Sequence, residues 1–307
     1  MGAQPWRGRV PLQPRSDPQA FLLECQVALG VCLVASPPGS TFLLPSTEGP
    51  MARTFEGMVR LQNVLSGPAP YTPTALRPKL ELPLSYPSIK GMRIAFSMNQ
   101  GWAEIDADTQ ANTREALRVF ERQGAVIDEV DLNLGVDGPA LRTALVNALY
   151  GRYFSEMAAT TRGSAEAKQA EDMINALYKR IQDAVFLNGY SAVLMPTLAT
   201  SDVAADFDPT RDTIRINGQP VEPNVGWVLT ALWNLLNWNP VVSIPTGLNR
   251  NQMPTGLQIC TTTYDDATAM RIASAFASEA PALFRGDRFP EFLNQSEVDQ
   301  ERSTGRG

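Results

Sequence analysis

The stretch MRIAFSM, residues 92–98, is a short apolar run behind Gly91, and a helical pattern separates it from a second run, AVIDEV, residues 125–130. Asp106 or Asp108 is placed to cap the intervening helix, Leu117 and Phe120 fall on its inner face, and Gly124 sits where a left-handed residue would end it. Two strands joined through such a helix make a right-handed crossover, which sets them parallel. That single unit commits the chain to an α/β architecture.

Other segments add elements to it. Met51, Phe55, Met58, Val59 and Leu65 recur at helical spacing, with Thr54 able to cap the first turn and Ser66, Gly67 and Pro68 ending the helix. A proline-rich connection covers residues 68–87. Helices are predicted over residues 141–157 and 165–187, the second keeping Ile174, Leu177, Ile181 and Val185 on one face. SAVLMPT reads as a buried strand closed by Pro196. Residues 198–223 read as a long loop rich in Asp, Thr and Pro, a length that in compact folds is functional or disordered. A helix carrying Val228, Leu232, Leu235 and Leu236 then leads into PVVSIPTG and, across LNRNQM, into PTGLQIC. These are two strands around a polar turn, with Pro245 and Pro254 expected at strand ends and Gly247 and Gly256 permitting tight backbone geometry. A last helix is predicted over residues 265–280, followed by a polar tail.

Composition narrows the chemistry. The 307 residues are 44% hydrophobic and 19% charged, a globular balance, and the net charge of −6 with no Lys/Arg cluster argues against a nucleic-acid partner. Histidine is absent, which removes Ser-His-Asp and Cys-His catalysis and His-based metal sites together. Three cysteines, Cys25, Cys32 and Cys260, are too few and too irregular for a disulfide framework or a zinc knuckle, and are expected as buried thiols in a reducing cytoplasm. The run FLLECQVALGVCLVA, residues 21–35, follows Arg7, Arg9 and Arg15 and so resembles a signal peptide superficially. Glu24 and Gln26 interrupt it, and it is shorter than the roughly 20 residues that span a bilayer, so a cytoplasmic chain without a membrane partner is expected.

Four segments in order, GPMART before a helix, the MRIAFS to QGAVIDEVDL unit, AVLMPTLAT, and NPVVSIPTG followed by MPTGLQI, resemble the amidase signature family of Ser-Ser-Lys amide hydrolases. The resemblance implies a mixed, largely core-buried β-sheet flanked by helices, with the two late strands inside it, and hydrolysis of a carboxamide through an acyl-serine. No cofactor is implied. In that family a neutral lysine, relayed through a second serine, activates the nucleophile, and a Gly/Ser-rich loop holds the oxyanion, so no histidine is needed. This chain has no Gly-Gly and no Ser-Ser pair, and its first lysine, Lys79, follows the GPMART segment. Gly39-Ser40 and Gly163-Ser164 lack flanking glycines and read as ordinary loops. PWRGRVPLQP, residues 5–14, resembles the family's segment just after the nucleophile loop, so the fold is expected to be incomplete at its N-terminus.

The expected organisation is a poorly matched segment over residues 1–48, with 15–48 not packed on the main body, a partial amidase-like domain over 49–290, and a polar tail over 291–307. No catalytic residue is assigned. Trp233, Asn234, Asn237 and Trp238, with Trp227 before them, are expected either as a buried aromatic belt or as the wall of a substrate pocket. Glu104, Asp106 and Asp108 are expected to serve capping and dipole roles rather than acid/base work, and Asp206 and Asp208 show no metal-ligand spacing. Two functions follow: an amidase-family polypeptide in truncated or inactive form, or a noncatalytic binding or scaffold protein derived from one. Its partner would be a small-molecule amide, a missing N-terminal segment or a second copy. A third outcome is a chain left unstable by uncovered sheet edges.

Overall fold

The computed structural model describes residues 23–26, 49–52, 54–67, 77–132, 134–136, 140, 165–223, 226–236 and 238–279. The strands are β1 (Leu23–Gln26), β2 (Met51–Ala52), β3 (Arg93–Phe96), β4 (Val126–Glu129), β5 (Ala192–Pro196), β6 (Ile214–Ile216), β7 (Gln219–Val221), β8 (Val241–Leu248) and β9 (Pro254–Thr261). The helices are α1 (Phe55–Leu65), α2 (Ala107–Arg122), α3 (Ala165–Ala184), α4 (Ala231–Leu235) and α5 (Asp266–Glu279).

Seven strands form one sheet in the order β2-β1-β8-β9-β5-β3-β4, while β6 and β7 pair as a separate ribbon. β3 lies parallel to β4, as its crossover through α2 requires, and parallel to β5; the pairs β5/β9, β8/β9, β1/β8 and β1/β2 are antiparallel. The sheet is therefore mixed. The late hairpin β8–β9 occupies its middle, with β9 largely buried and β8 buried at Val241, Val242 and Ile244 and half-buried along the rest.

Local signals explain most boundaries. The Gly57 amide donates to the Thr54 hydroxyl at 3.0 Å, which starts α1, and the Asp108 amide donates to the Asp106 carboxylate at 2.9 Å, which starts α2. Gly124 ends the α2 connection at φ +85, where a Cβ would also fall 2.9 Å from Lys90 Cγ.

Each face of the sheet packs its own layer. On one, Ile94, Phe96, Leu194, Val242, Ile244, Leu257 and Ile259 share a core with Met58 and Val59 of α1, Leu117 and Phe120 of α2, and Met270 and Phe276 of α5. On the other, Ala95, Val193, Met195, Val241 and Cys260 meet Ile174, Leu177 and Ile181 of α3 and Leu232, Trp233 and Leu235 of α4. Period-two alternation along each strand divides the residues between the two cores.

Three expectations change. Leu23–Gln26 lies inside the stretch expected to stand apart, yet it pairs with Val241–Ser243 on one side and with Met51 and Ala52 on the other. Its backbone is thus part of the sheet. Pro245 is not at a strand end: it lies inside β8, where a register irregularity between Pro245 and Gly247 absorbs its missing N–H. Residues 198–223 contain the β6–β7 hairpin, turned by Asn217 at φ 49 and Gly218 at φ 82, with Ile214 and Ile216 buried beneath it. The predicted helix over 141–157, residues 1–22 and 27–48, and the tail lie outside the described residues. No helix among the described residues is long and apolar enough to cross a membrane.

Candidate functional site

In the middle of the sheet, on the side of α3 and α4, β5, β9 and β8 set Met195, Gln258 and Ser243 directly opposite one another in one row. The next row, Val193, Cys260 and Val241, is wholly apolar in character and buried. Gln258 is 0% exposed; its Nε2 donates to the Pro196 carbonyl at 2.9 Å, and its Oε1 accepts nothing. The half-buried Ser243 and Thr197 hydroxyls lie 3.0 Å apart. The Met195 thioether receives N–H groups from Gln100 at 3.1 Å and from Trp233 at 3.2 Å. Gln100 is itself buried at φ 55, held by a 2.6 Å bond to the Leu229 carbonyl, with its Oε1 also unpartnered. Polar atoms thus collect around one thioether inside an otherwise apolar layer, an arrangement that costs free energy wherever an acceptor stays unmatched.

Of these residues, periodicity and motif reading single out Trp233 and none of the others. Their signal is nevertheless written in the chain, as Ser243 interrupting VVSIP and Gln258 interrupting GLQIC in runs that periodicity assigns to a core. Of the four residues expected as a pocket wall or an aromatic belt, Trp233 is 1% exposed and belongs to the α3/α4 core. Asn234 and Trp238 are half-buried, and the Trp238 carbonyl accepts the Tyr264 amide at 3.0 Å. Asn237 lies outside the described residues. Trp227, buried, donates its Nε1 to the Pro223 carbonyl at 3.1 Å.

The carboxylates ahead of α2 act as caps and ion-pair partners. Arg250, at the tip of the β8–β9 hairpin, reaches Asp108 at 2.6 Å and Asp106 at 2.9 Å. Its side-chain hydrogen bond, followed by its backbone one, holds the Asp108 carboxyl below the usual carboxylate range. Asp202 accepts from Asn249 at 2.6 Å and from Asn251 at 3.0 Å, so the same hairpin tip is also tied to the loop after β5. Asp208 accepts the hydroxyl and amide of Thr210, which lower its carboxyl in that order. No group of three or more His, Cys, Asp or Glu side chains able to hold a metal occurs among the described residues.

A serine nucleophile needs a group that takes its proton, and here that means an amine or a carboxylate within hydrogen-bond reach. Ser243 meets a neutral hydroxyl instead. Lys79 bonds the Asn63 carbonyl and pairs with Glu81, Lys168 pairs with Asp172, Lys179 pairs with Asp183, and Lys90 is exposed. All of the chain's lysines are accounted for in this way. Cys260 is enclosed by the core, and burial pushes its thiol well above the usual range, which leaves it unreactive.

The family model described as Amidase matches residues 33–188, just over half of the chain. The chain belongs to the amidase family. An acylamidase of Rhodococcus erythropolis is 26% identical over 255 residues, covering 76% of this chain and 52% of that protein. A glutamyl-tRNA(Gln) amidotransferase subunit of Acinetobacter baumannii is 25% identical over 262 residues, covering 74% of this chain and 53% of that protein. The amidase-family chain therefore spans about half the length of the curated relatives it matches. Among solved structures, a bacterial aryl acylamidase of the amidase signature enzymes superposes with a TM-score of 0.72 at 22% identity, over 85% of this chain and 59% of that one. The corresponding glutamyl-tRNA(Gln) amidotransferase subunit of Thermotoga maritima gives 0.63 at 20% identity, over 89% and 61%. The mixed sheet with helices on both faces is the architecture shared with these amidase signature structures. The match also begins at residue 33, inside the segment expected to be poorly matched.

Proposed function

We propose that these 307 residues form the part of an amidase fold that frames the reaction without supplying its nucleophile, and that by themselves they hydrolyse no amide. The family reaction brought here by resemblance is cleavage of a carboxamide through an acyl-serine. The observation that carries the proposal is the pairing of Ser243: its hydroxyl partner is Thr197, while Lys79, Lys168 and Lys179 lie elsewhere in ion pairs and Lys90 is exposed. Absence of any Ser-Ser or Gly-Gly pair agrees with this, because converging backbone amides need such glycines to hold an oxyanion.

On this reading Trp233, Asn234, Asn237 and Trp238 remain as one side of an amide pocket, favoured by the half-buried positions of Asn234 and Trp238 beside the core-anchored Trp233. A noncatalytic binding or scaffold role fits the same wall. The occupant would be a small-molecule amide, and a second copy or a polypeptide carrying the nucleophile loop would complete the site. The shortage of cysteine and the enclosed Cys260 thiol suit a cytoplasmic setting.

The purified chain is expected to release no product from anilides or activated esters, and a fluorophosphonate probe is expected to label no serine by intact mass. Stoichiometric labelling of one serine, lost together with activity when that serine is changed to Ala, would overturn the proposal. Titration with an aromatic amide, followed by tryptophan fluorescence, separates the two roles: saturable quenching supports the retained pocket, and a flat response leaves a scaffold.

A further inference from the structure

Helix α5 begins beneath the sheet with two consecutive acids of opposite fate. Asp265 faces outward enough to cap, its carboxylate accepting the Thr268 amide at 3.2 Å, while its backbone carbonyl accepts the Thr261 hydroxyl at 2.9 Å. Asp266 is 1% exposed, and neither of its carboxylate oxygens has a hydrogen-bond partner. The residue before them, Tyr264, sits at φ 61, so the chain enters the helix through a left-handed turn. Below Asp266, Ala269, Met270, Ala273 and Phe276 continue the same buried face. An unpaired charge has no business in such a place, because the transfer cost of an ionised carboxylate is met only by a partner or a proton.

Among the described residues, the elements packed around Asp266 supply no counter-charge. β8 and β9 contain no ionisable residue except Cys260, which is on the opposite face. On α1, Glu56 and Arg60 pair with each other at the surface. On α2, Asp108 is taken by Arg250, Glu115 by Arg118, and Arg122 reaches Glu279 at the far end of α5; Arg114 and Glu121 are exposed. Arg271, on α5 itself, turns to the carbonyls of Pro87 and Ser88. Of the remaining ionisable neighbours, Asp265 disfavours a charge at Asp266, and Tyr264, a phenol held above its ordinary range by burial, carries no charge to offset one.

We propose that Asp266 is a proton-linked latch on α5: its neutral carboxyl lets the first turn stay seated against the sheet, and its ionisation loosens that turn. Burial, the largest influence, pushes this carboxyl from 3.8 up to about 7, with its own amide opposing and Asp265 adding to the rise. The closed helix therefore holds one more proton than the opened one throughout the interval from 3.8 to about 7. The stabilisation is complete at the acid end of that interval and is lost as pH rises through it, the opening equilibrium growing about tenfold per pH unit before levelling off.

Hydrogen exchange of the peptide covering residues 262–272, corrected for intrinsic chemical rates, tests this on the full chain. In the wild type, protection of the first turn of α5 is expected to fall about fiftyfold from pH 5 to pH 7 and to change little beyond pH 8. Asp266→Asn is expected to hold one level throughout. Asp265→Ala, which removes the cap, is expected to lower protection at every pH while keeping a fall as pH rises. Wild-type protection that does not vary with pH, or an Asp266→Asn variant that keeps the wild-type fall, overturns the proposal. Should Asp266→Asn fail to fold, the wild-type profile beside that of Asp265→Ala decides it alone.

Discussion

The face of the sheet that meets α1, α2 and α5 is apolar through its middle, whereas the face against α3 and α4 breaks its apolar rows with Ser243 and Gln258. Both faces are buried to a similar degree. The difference is in where the hydrogen-bonding debt falls: on the first face it lies on the helices, as at the Asp266 carboxylate of α5, and on the second it enters the sheet itself at the Gln258 amide oxygen, with the Gln100 oxygen unmatched nearby and a hydroxyl pair alongside. A core selected for packing alone would replace such groups with aliphatic ones at little loss. Their presence within the strands sets this face apart from the other, where the middle of the sheet presents aliphatic and aromatic side chains to its helices.

The largest effects should ignore this difference. Phe120→Ala on the first face and Trp233→Ala on the second each remove a side chain at most 1% exposed, and each is expected to cost about 3–5 kcal/mol in urea unfolding. A Trp233 variant costing under about 1 kcal/mol would break the comparison, by showing that the α3/α4 layer is not load-carrying core. A more selective probe is Gln258→Glu, which sets a carboxylate against the Pro196 carbonyl in a fully buried position. Destabilisation of about 3 kcal/mol at pH 7 is expected, shrinking as the pH falls toward 4, because the buried acid is neutral there and its stabilising protonated form is lost as pH rises. Equal stability at both pH values would mean the row is open to solvent. The smallest effect concerns the hydroxyl pair: a double-mutant cycle between Ser243→Ala and Thr197→Val should return a coupling of about 0.5–1.5 kcal/mol. A coupling near zero would leave the two hydroxyls as independent groups and remove the reason for treating them as one site.

How much of this was legible depended on whether a signal was local. The caps at Thr54 and Asp106, the left-handed Gly124, the strand ending at Pro196 and the hairpin of β8 and β9 are each dictated by a few neighbouring residues, and each was readable. The β6–β7 hairpin was equally local, since Asn217-Gly218 between short alternating runs is a strong turn signal. The surrounding Asp, Thr and Pro mask that signal by giving the whole stretch the composition of a loop. Pro245 failed differently: proline is ordinarily an edge or end residue, and only the irregularity shared with Gly247 lets it sit inside β8. Leu23–Gln26 had no recognisable pattern of its own, and its partner is more than two hundred positions away at Val241–Ser243.

The sequence by itself determined the class of fold, the parallel βαβ unit, the family, and the exclusion of imidazole chemistry, because periodicity, capping and composition act over short distances or over the whole chain at once. Only the tertiary structure decided that Ser243 and Thr197 share a hydrogen bond, that Gln258 is sealed beneath them, and that Asp266 rather than Asp265 is the acid turned inward. These depend on strand register and on which side of a helix meets the sheet. A shift of one residue would exchange the two faces, and nothing in the local run of side chains states which long-range partner sets that register.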